Sequence, residues 1–117
     1  MKVLIIDDEK LDLFIAKKLL EVEFEVHEFT KPVDALTWAQ QNSFDAALID
    51  YYLDDGVLGL DMLKKLKEAK GDSFKAILLS NHVEDDQSKK ASEAGFRGVI
   101  FKPITLEKFK QALQEKN

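Results

Sequence analysis

Five polar side chains with complementary chemistry stand at the ends of four apolar runs of the sequence: Asp7, Asp8, Asp50, Ser80 and Lys102. Crowded carboxylates repel one another unless a cation neutralises them. Carboxylate oxygens without thiol or imidazole partners are the hard donors that suit Mg²⁺ or Mn²⁺. A nearby lysine supplies positive charge to a phosphoryl group, and a hydroxyl donates a hydrogen bond to it. The pattern therefore predicts a site for a divalent metal and a phosphoryl group.

One of the three carboxylates differs from the others in its position. Asp50 stands alone after its apolar run, whereas Asp7 and Asp8 are adjacent. Because an aspartate can attack phosphorus and form an acyl phosphate, we expect Asp50 to carry the phosphoryl group. We expect Asp7 and Asp8 to bind the metal. Each of the three could instead cap the helix that follows it, but capping does not require Lys102.

The elements that must position these side chains follow from the apolar pattern. Short apolar runs predict five strands: Val3–Ile6, Phe24–Phe29, Phe44–Ile49, Ala76–Leu79 and Gly98–Phe101. Between them, residues at helical spacing predict helices. The first helix is expected to carry the apolar residues Leu11, Phe14, Ile15, Leu19 and Val22. Strands that alternate with helices, with apolar runs on both faces, indicate a parallel sheet in an α/β fold.

Three residues mark where the predicted helices begin. Thr30 is a candidate N-cap, Pro32 fits the first turn of the second helix, and Thr105 is a candidate cap for the last helix. A more polar helix is expected over Asp85–Ala94. Right-handed crossovers place the carboxyl ends of all parallel strands at one edge of the sheet, which is where ligands of such sheets bind. The five polar side chains are therefore expected to meet there.

Length and composition limit the function classes. The 117 residues, 45% of them hydrophobic, suffice for one domain spanning residues 1–117 with its own core. The net charge of −5 argues against direct binding to nucleic acid or to anionic membranes. The absence of cysteine excludes disulfides and zinc–thiolate sites. No apolar run approaches the length of a membrane span, so a cytoplasmic protein is expected.

Four stretches of the chain carry a resemblance to a known family: VLIIDDE (Val3–Glu9), ALIDYYLDDG (Ala47–Gly56), ILLSN (Ile77–Asn81) and GFRGVIFKP (Gly95–Pro103). In their order and spacing they resemble the response-regulator receiver domain, of the CheY-like, flavodoxin-like class. The resemblance covers nearly the full length of the chain. It implies a doubly wound (βα)5 fold with a five-stranded parallel sheet in the order 2-1-3-4-5.

The resemblance also implies a role for each site residue. Asp50 matches the phosphoacceptor of the family, and Asp7 and Asp8 match its acidic pair. Ser80 matches the residue that contacts the phosphoryl group, and Lys102 matches the phosphate-binding lysine, with a Lys102–Pro103 bond that is usually cis. Two further positions remain. The backbone carbonyl of Tyr52 is expected to bind the metal, and the side chains of Tyr52 and His82 are expected to set the rate of acyl phosphate hydrolysis.

The resemblance further implies a function. The chain is expected to be a phosphorylation-controlled switch of a two-component phosphorelay, using Mg²⁺ or Mn²⁺ and not turning over an external substrate. Its expected partners are a sensor histidine kinase or a histidine phosphotransfer protein, an unknown downstream protein, and a second copy of itself after phosphorylation. One alternative is an interaction module of the same fold that signals without phosphorylation. Another, a haloacid-dehalogenase-type phosphatase, is disfavoured because Tyr52 stands where its second aspartate belongs.

One position departs from the family pattern. Relatives often carry an aromatic residue three positions before the lysine, where this chain has Val99. Phe101 is aromatic and lies on the same face of the predicted strand, because side chains alternate along a strand. The route from Asp50 to a partner surface is therefore not fixed by the resemblance.

Overall fold

The computed structural model describes residues 1–53, 56–81 and 85–114. For residues 85–87 within the last range, it describes the backbone only. Within these ranges five strands alternate with five helices: β1 Lys2–Ile6, α1 Lys10–Leu20, β2 Glu25–Phe29, α2 Pro32–Gln41, β3 Ala46–Asp50, α3 Gly59–Lys70, β4 Lys75–Ser80, α4 Asp85–Ala94, β5 Gly98–Phe101 and α5 Leu106–Gln114. The strands pair in parallel in the order β2-β1-β3-β4-β5. The predicted flavodoxin-like fold and strand order are confirmed.

The central strands are apolar because both of their faces are covered. Leu4 and Ile6 of β1 belong to one buried cluster, whereas Val3 and Ile5 belong to the other. Helices α2, α3 and α4 cover the first face, and helices α1 and α5 cover the second. Burial on both faces explains why these strands read as continuous apolar runs instead of alternating ones. No helix in the described part of the chain is long and apolar enough to cross a bilayer.

Helix α1 is rotated relative to the sequence prediction. It buries Leu13, Ala16 and Leu20, which are also spaced i, i+3, i+7. Of the apolar residues whose spacing predicted this helix, Leu19 is half-buried and four are exposed: Leu11 by 70%, Phe14 by 54%, Ile15 by 41% and Val22, beyond the helix end, by 76%. The predicted helix is present, but it buries the other of two apolar stripes that fit the helical period, because only tertiary packing selects between them.

The helix starts agree with the sequence in two of three places. Pro32 is the first residue of α2, and the Thr105 hydroxyl accepts a hydrogen bond from the Lys108 N–H at 3.1 Å, so Thr105 caps α5. The prediction for Thr30 was wrong. The N-cap of α2 is Lys31, whose extended backbone leads into Pro32 without a side-chain cap bond. The residue before a proline is pushed towards extended conformations, which moves the helix boundary past Thr30.

An aromatic group joins α2 to the strands at one side of the sheet. The Trp38 ring stacks on His27 with centroids 4.6 Å apart and lies 5.9 Å from Phe29 and 5.8 Å from Phe44. Phe44, predicted to begin the third strand, precedes β3 and packs within this group, where it also contacts the ring of Phe74. Such ring pairs stabilise the packing beyond the area that they bury.

Candidate functional site

Three carboxylates meet at the carboxyl edge of the sheet. Asp7 follows β1 and is 1% exposed, and Asp50 ends β3 and is 4% exposed, while Asp8 is half-buried. One oxygen from each carboxylate lies within 4.8 Å of the other two. The backbone N–H of Asp7 donates to the carbonyl of Phe29 at 3.1 Å, which ties this turn to β2. The arrangement brings the predicted metal ligands Asp7, Asp8 and Asp50 together.

Lys102 reaches into this cluster from the end of β5. Its ammonium Nζ lies 2.9 Å from Asp7 Oδ2, 2.9 Å from Asp12 Oδ2 and 3.6 Å from Asp50 Oδ2. The lysine side chain is only 11% exposed. A largely buried ammonium among carboxylates offsets part of their mutual repulsion. Lys102 therefore belongs to the predicted site, where it contacts more carboxylates than the sequence suggested.

Ser80 completes the set from the end of β4. It is 1% exposed and pairs with Phe101 of β5 in the sheet, and its backbone carbonyl accepts a hydrogen bond from the Lys102 N–H at 2.8 Å. A cleft of about 130 Å³, lined in part by Asp8, Asp50 and Ser80, opens beside the carboxylates. The peptide bond between Lys102 and Pro103 is cis, as the resemblance implied.

Gly59 closes the loop that follows Asp50. A Cβ atom at this position would lie 2.3 Å from the backbone oxygen of Asp50, closer than side-chain atoms approach. The Gly59 N–H donates to the Tyr51 carbonyl at 2.7 Å, and α3 begins at Gly59. A glycine is thus needed for the first turn of α3 to pack against the end of β3.

The capping alternative does not fit the described residues. Helix α1 takes Glu9 as its N-cap, without a side-chain cap bond, and α3 begins nine residues after Asp50. One Asp50 oxygen, Oδ1, accepts a hydrogen bond from the neighbouring Tyr51 N–H at 3.0 Å. The Asp7 Oδ1 atom accepts from the Glu9 N–H at 3.0 Å, within the turn after β1. The carboxylates are gathered at one point instead of being spread over separate helix ends.

The environment shifts the protonation of the central groups. Burial, followed by the negative charge of Asp7, raises the pKa of Asp50 from 3.8 to about 7, against the opposing attraction of Lys102. Burial alone would lower the pKa of Lys102, but its hydrogen bonds to Asp12 and Asp7 and the surrounding carboxylate charges outweigh that effect and raise it. Without a bound metal, the Asp50 carboxyl therefore loses its proton only near neutral pH, whereas the Lys102 ammonium beside it stays protonated.

Asp12 is the residue of this site that the sequence interpretation missed. It lies in the first turn of α1, and the hydrogen bond from Lys102 lowers its pKa. Its neighbour Glu9 has a raised pKa because of the hydrogen bond and the charge that Asp12 presents to it. The sequence could have indicated Asp12, because the helix that follows β1 begins at the sheet edge where Asp7 and Asp8 lie.

The remaining predicted positions lie around the site. Tyr52 follows the buried Tyr51 and is 59% exposed, and the two rings meet edge to face with their centroids 4.7 Å apart. Val99 and Phe101 are both half-buried on β5, where they line a shared cleft with residues of α4. His82, predicted to set the hydrolysis rate with Tyr52, lies outside the described residues.

The chain matches the response regulator receiver domain family over residues 3–114. It is 29% identical over 108 residues to the cyclic di-GMP phosphodiesterase response regulator RpfG of Xanthomonas campestris, covering 89% of this chain and 28% of RpfG. It is 26% identical over 118 residues to the chemotaxis protein CheY of Pseudomonas aeruginosa, covering 98% of this chain and 94% of CheY.

A solved structure shows the same architecture. The CheY-like receiver domain from Methylobacillus flagellatus superposes with a TM-score of 0.86 at 28% identity, covering 97% of this chain and 96% of that one. The chain thus spans less than a third of RpfG and nearly all of CheY. It belongs to the response regulator receiver domain family, whose standard role is phosphorylation-controlled signalling in two-component systems.

Proposed function

We propose that Asp50 is the phosphoacceptor of this switch and that it is phosphorylated in a divalent-metal site formed with Asp7 and Asp8. The observation that carries the proposal is the meeting of these three carboxylates, within 4.8 Å of one another, beside the largely buried ammonium of Lys102. Such a concentration of buried charge is unfavourable for folding unless a ligand uses it. A metal ion and a phosphoryl group together match it in charge.

The donor set fits magnesium. Carboxylate oxygens, with no histidine or thiol among the clustered groups, are the ligands that Mg²⁺ and Mn²⁺ prefer. Asp7, Asp8 and Asp50 would hold the ion, with the backbone carbonyl of Tyr52 as the fourth protein ligand that we propose. When bound, the ion neutralises the carboxylates and the charge of the incoming phosphoryl group.

The remaining residues divide the chemistry between them. An Asp50 carboxylate oxygen attacks phosphorus, the new O–P bond forms as the bond to the donor breaks, and the donor group leaves. Lys102 supplies positive charge to the phosphoryl oxygens, and the Ser80 hydroxyl donates a hydrogen bond to one of them. The step needs no general base, because Asp50 reacts as a carboxylate.

We propose the class of protein that donates the phosphoryl group and the class of partner that responds to it. A sensor histidine kinase or a histidine phosphotransfer protein supplies the phosphoryl group from a phosphohistidine. A downstream protein, or a second copy of this chain, reads the phosphorylated form. We place this exchange in the cytoplasm and assign it to one receiver domain spanning residues 1–117. Receiver domains signal and are not turnover enzymes, and we propose the same for this chain.

The test is incubation with acetyl phosphate and Mg²⁺, followed by intact mass spectrometry. One added phosphoryl group in the native protein and none in Asp50→Asn is the expected result. A gain of mass that persists in Asp50→Asn would assign another acceptor. No gain in the native protein with either acetyl phosphate or phosphoramidate would favour the interaction module that signals without phosphorylation. Steady release of phosphate from p-nitrophenyl phosphate would instead indicate a phosphatase.

The lifetime of the phosphorylated form is a separate proposal. We propose that Tyr52 and His82 shield the acyl phosphate from water in line with the O–P bond, so that hydrolysis is slow. The exposed Tyr52 ring, adjacent to the cleft beside Asp50, supports this for one of the pair. In the Tyr52→Ala, His82→Ala double variant, loss of the mass increment after donor removal should be faster. An unchanged rate would contradict the assignment.

A further inference from the structure

The contact between Asp12 and Lys102 has no role in the phosphorylation chemistry proposed above. Asp12 Oδ2 lies 2.9 Å from Lys102 Nζ, the same distance as Asp7 Oδ2, whereas Asp50 Oδ2 is 0.7 Å farther away at 3.6 Å. Asp12 thus holds the ammonium more closely than the phosphoacceptor does. The contact joins residues 90 positions apart in the chain, so it also fixes α1 to the end of β5.

Two carboxylates already use two of the hydrogen-bond donors of this ammonium. A lysine ammonium has three N–H donors and no acceptor. Two of the donors are bonded to Asp7 and Asp12, whereas the Asp50 carboxylate, at 3.6 Å, lies beyond hydrogen-bond distance. An incoming phosphoryl group brings several strong acceptor oxygens to the same ammonium. Lys102 can therefore offer the phosphoryl oxygens more than one donor only after it releases an existing partner.

Asp12 is the partner that can be released. Asp7 is 1% exposed and is a proposed metal ligand, so it stays in place during the reaction. The Asp12 side chain is 32% exposed, and water can replace the hydrogen bond that it loses. The small cavity beside Lys102 is lined in part by the apolar residues Ile15, Leu79 and Ile104, which offer no side-chain acceptor to an ammonium that withdraws from the carboxylates.

We propose that Asp12 is a positioning residue that holds Lys102 in the unphosphorylated state and thereby slows phosphorylation of Asp50. This inference rests on the proposed function, because it concerns the phosphoryl group that Asp50 accepts. In the unphosphorylated protein, Asp12 and the incoming phosphoryl group compete for the same ammonium. Once the phosphoryl group is attached, Lys102 has moved to its oxygens and the contact with Asp12 is already broken.

The two rates of the cycle therefore respond differently to Asp12. Phosphorylation starts from the state in which the contact is made, so removal of the Asp12 carboxylate accelerates it. Hydrolysis starts from the state in which the contact is broken, so the same change leaves it nearly unaltered. A loosening of the fold around α1 would change both rates. This asymmetry distinguishes a positioning role from a structural one.

The experiment compares Asp12→Asn with the native protein at saturating Mg²⁺. The initial rate of mass gain with acetyl phosphate measures phosphorylation, and loss of the increment after donor removal measures hydrolysis. We expect phosphorylation to be about tenfold faster, the factor that corresponds to one hydrogen bond between charged groups. We expect the hydrolysis rate to stay within about twofold of the native rate. Asp12→Ser, which also removes the carboxylate, should give the same pair of results.

Glu9→Gln is the matched control. Glu9 lies beside Asp12 and carries the same charge, but no contact joins its carboxylate to Lys102 among the ion pairs of the described residues. Its removal changes the local charge by the same amount without freeing the ammonium. We expect less than a twofold change in the phosphorylation rate of this variant. Far-UV circular dichroism of each variant checks that α1 and the sheet remain folded.

The outcomes separate this inference from the proposed function. If the native protein gains no phosphoryl group from acetyl phosphate or phosphoramidate, both fail. If the native protein is phosphorylated but Asp12→Asn reacts at the native rate or more slowly, only the positioning role of Asp12 fails. Equal acceleration in Glu9→Gln would assign the effect to general charge and overturn the inference. Parallel changes in both rates of a folded Asp12→Asn protein would overturn it as well.

Discussion

Replacement of Asp50 by asparagine is expected to stabilise the metal-free protein. Asparagine has nearly the same shape as aspartate and can keep the hydrogen bond that Asp50 Oδ1 accepts from the Tyr51 N–H at 3.0 Å. It removes a negative charge that is 4% exposed and lies against the buried Asp7. The substitution therefore relieves a buried repulsion while it disturbs little of the packing.

The size of the effect follows from the pKa of Asp50, which is raised from 3.8 to about 7. A carboxyl whose pKa is raised by folding binds its proton more tightly in the folded state, so stability is highest at low pH. Stability is lost as the pH rises from 3.8, the usual pKa, through about 7, the folded pKa. At about 1.4 kcal/mol per pH unit, the full loss above pH 7 is about 4 kcal/mol. Asparagine does not titrate and avoids this loss.

The assay is urea unfolding followed by far-UV circular dichroism, in EDTA, at pH 5 and pH 8. We expect Asp50→Asn to exceed the native protein in free energy of unfolding at pH 8. The difference should grow by roughly 2–3 kcal/mol between pH 5 and pH 8, because most of the titration of Asp50 in the folded state falls in that interval. The slope of the free energy of unfolding against urea concentration should be the same for Asp50→Asn and the native protein.

The control is Asp34→Asn, which removes an exposed carboxylate from the first turn of α2. Its effect on the free energy of unfolding should stay within about 0.5 kcal/mol at both pH values. If Asp50→Asn is no more stable than the native protein at pH 8, the carboxylate cluster is not a source of instability. If its advantage is the same at pH 5 and pH 8, the titration of Asp50 does not account for it.

Three further predictions concern the metal, the loop after Asp50 and the core. Mg²⁺ should raise the free energy of unfolding of the native protein more at pH 8 than at pH 6, because Asp50 must lose its proton to bind the ion. An equal or smaller effect at pH 8, measured by the same urea titration, would contradict metal binding by Asp50. Gly59→Ala should destabilise the fold by at least about 2 kcal/mol in chemical unfolding, since the Cβ atom of alanine would lie 2.3 Å from the backbone oxygen of Asp50. A neutral effect would show that the loop after Asp50 shifts easily to make room for it. Phe109→Ala, at a fully buried position of α5, should lower the free energy of unfolding by about 3–5 kcal/mol. A loss below about 1 kcal/mol would mean that the layer formed by α1 and α5 repacks around the missing ring.

The strand ends could be predicted from the sequence because they depend on local composition. Apolar runs that are buried on both faces stop where the chain leaves the sheet, and the parallel topology then gathers their ends at one edge. The sequence alone therefore assigns Asp7, Asp50, Ser80 and Lys102 to one place. Asp50 and Ser80 are the last residues of their strands and not the first residues beyond them, a difference that leaves the site intact.

The rotation of α1 could not be predicted in this way. Two apolar stripes on this helix have the right period, and the buried one packs into a cluster that includes residues of β5 and α5, which are distant in sequence. The ion pair between Asp12 and Lys102 is another long-range contact, since its partners are 90 positions apart in the chain. Asp12 faces the sheet edge, while Leu11 and Phe14 of the same helix are exposed. The sequence period alone contains no information about that pair.

The aromatic group around Trp38 gives the protein an intrinsic optical reporter. Trp38 is the chain's single tryptophan, and its ring lies 5.9 Å from that of Phe29. The carbonyl of Phe29 accepts the hydrogen bond from the Asp7 N–H, so one residue separates the fluorophore from the carboxylate cluster. Tryptophan emission can therefore follow events at the turn after β1 without an added label. The same emission monitors the packing of α2 on β2, on the opposite side of the sheet from α1.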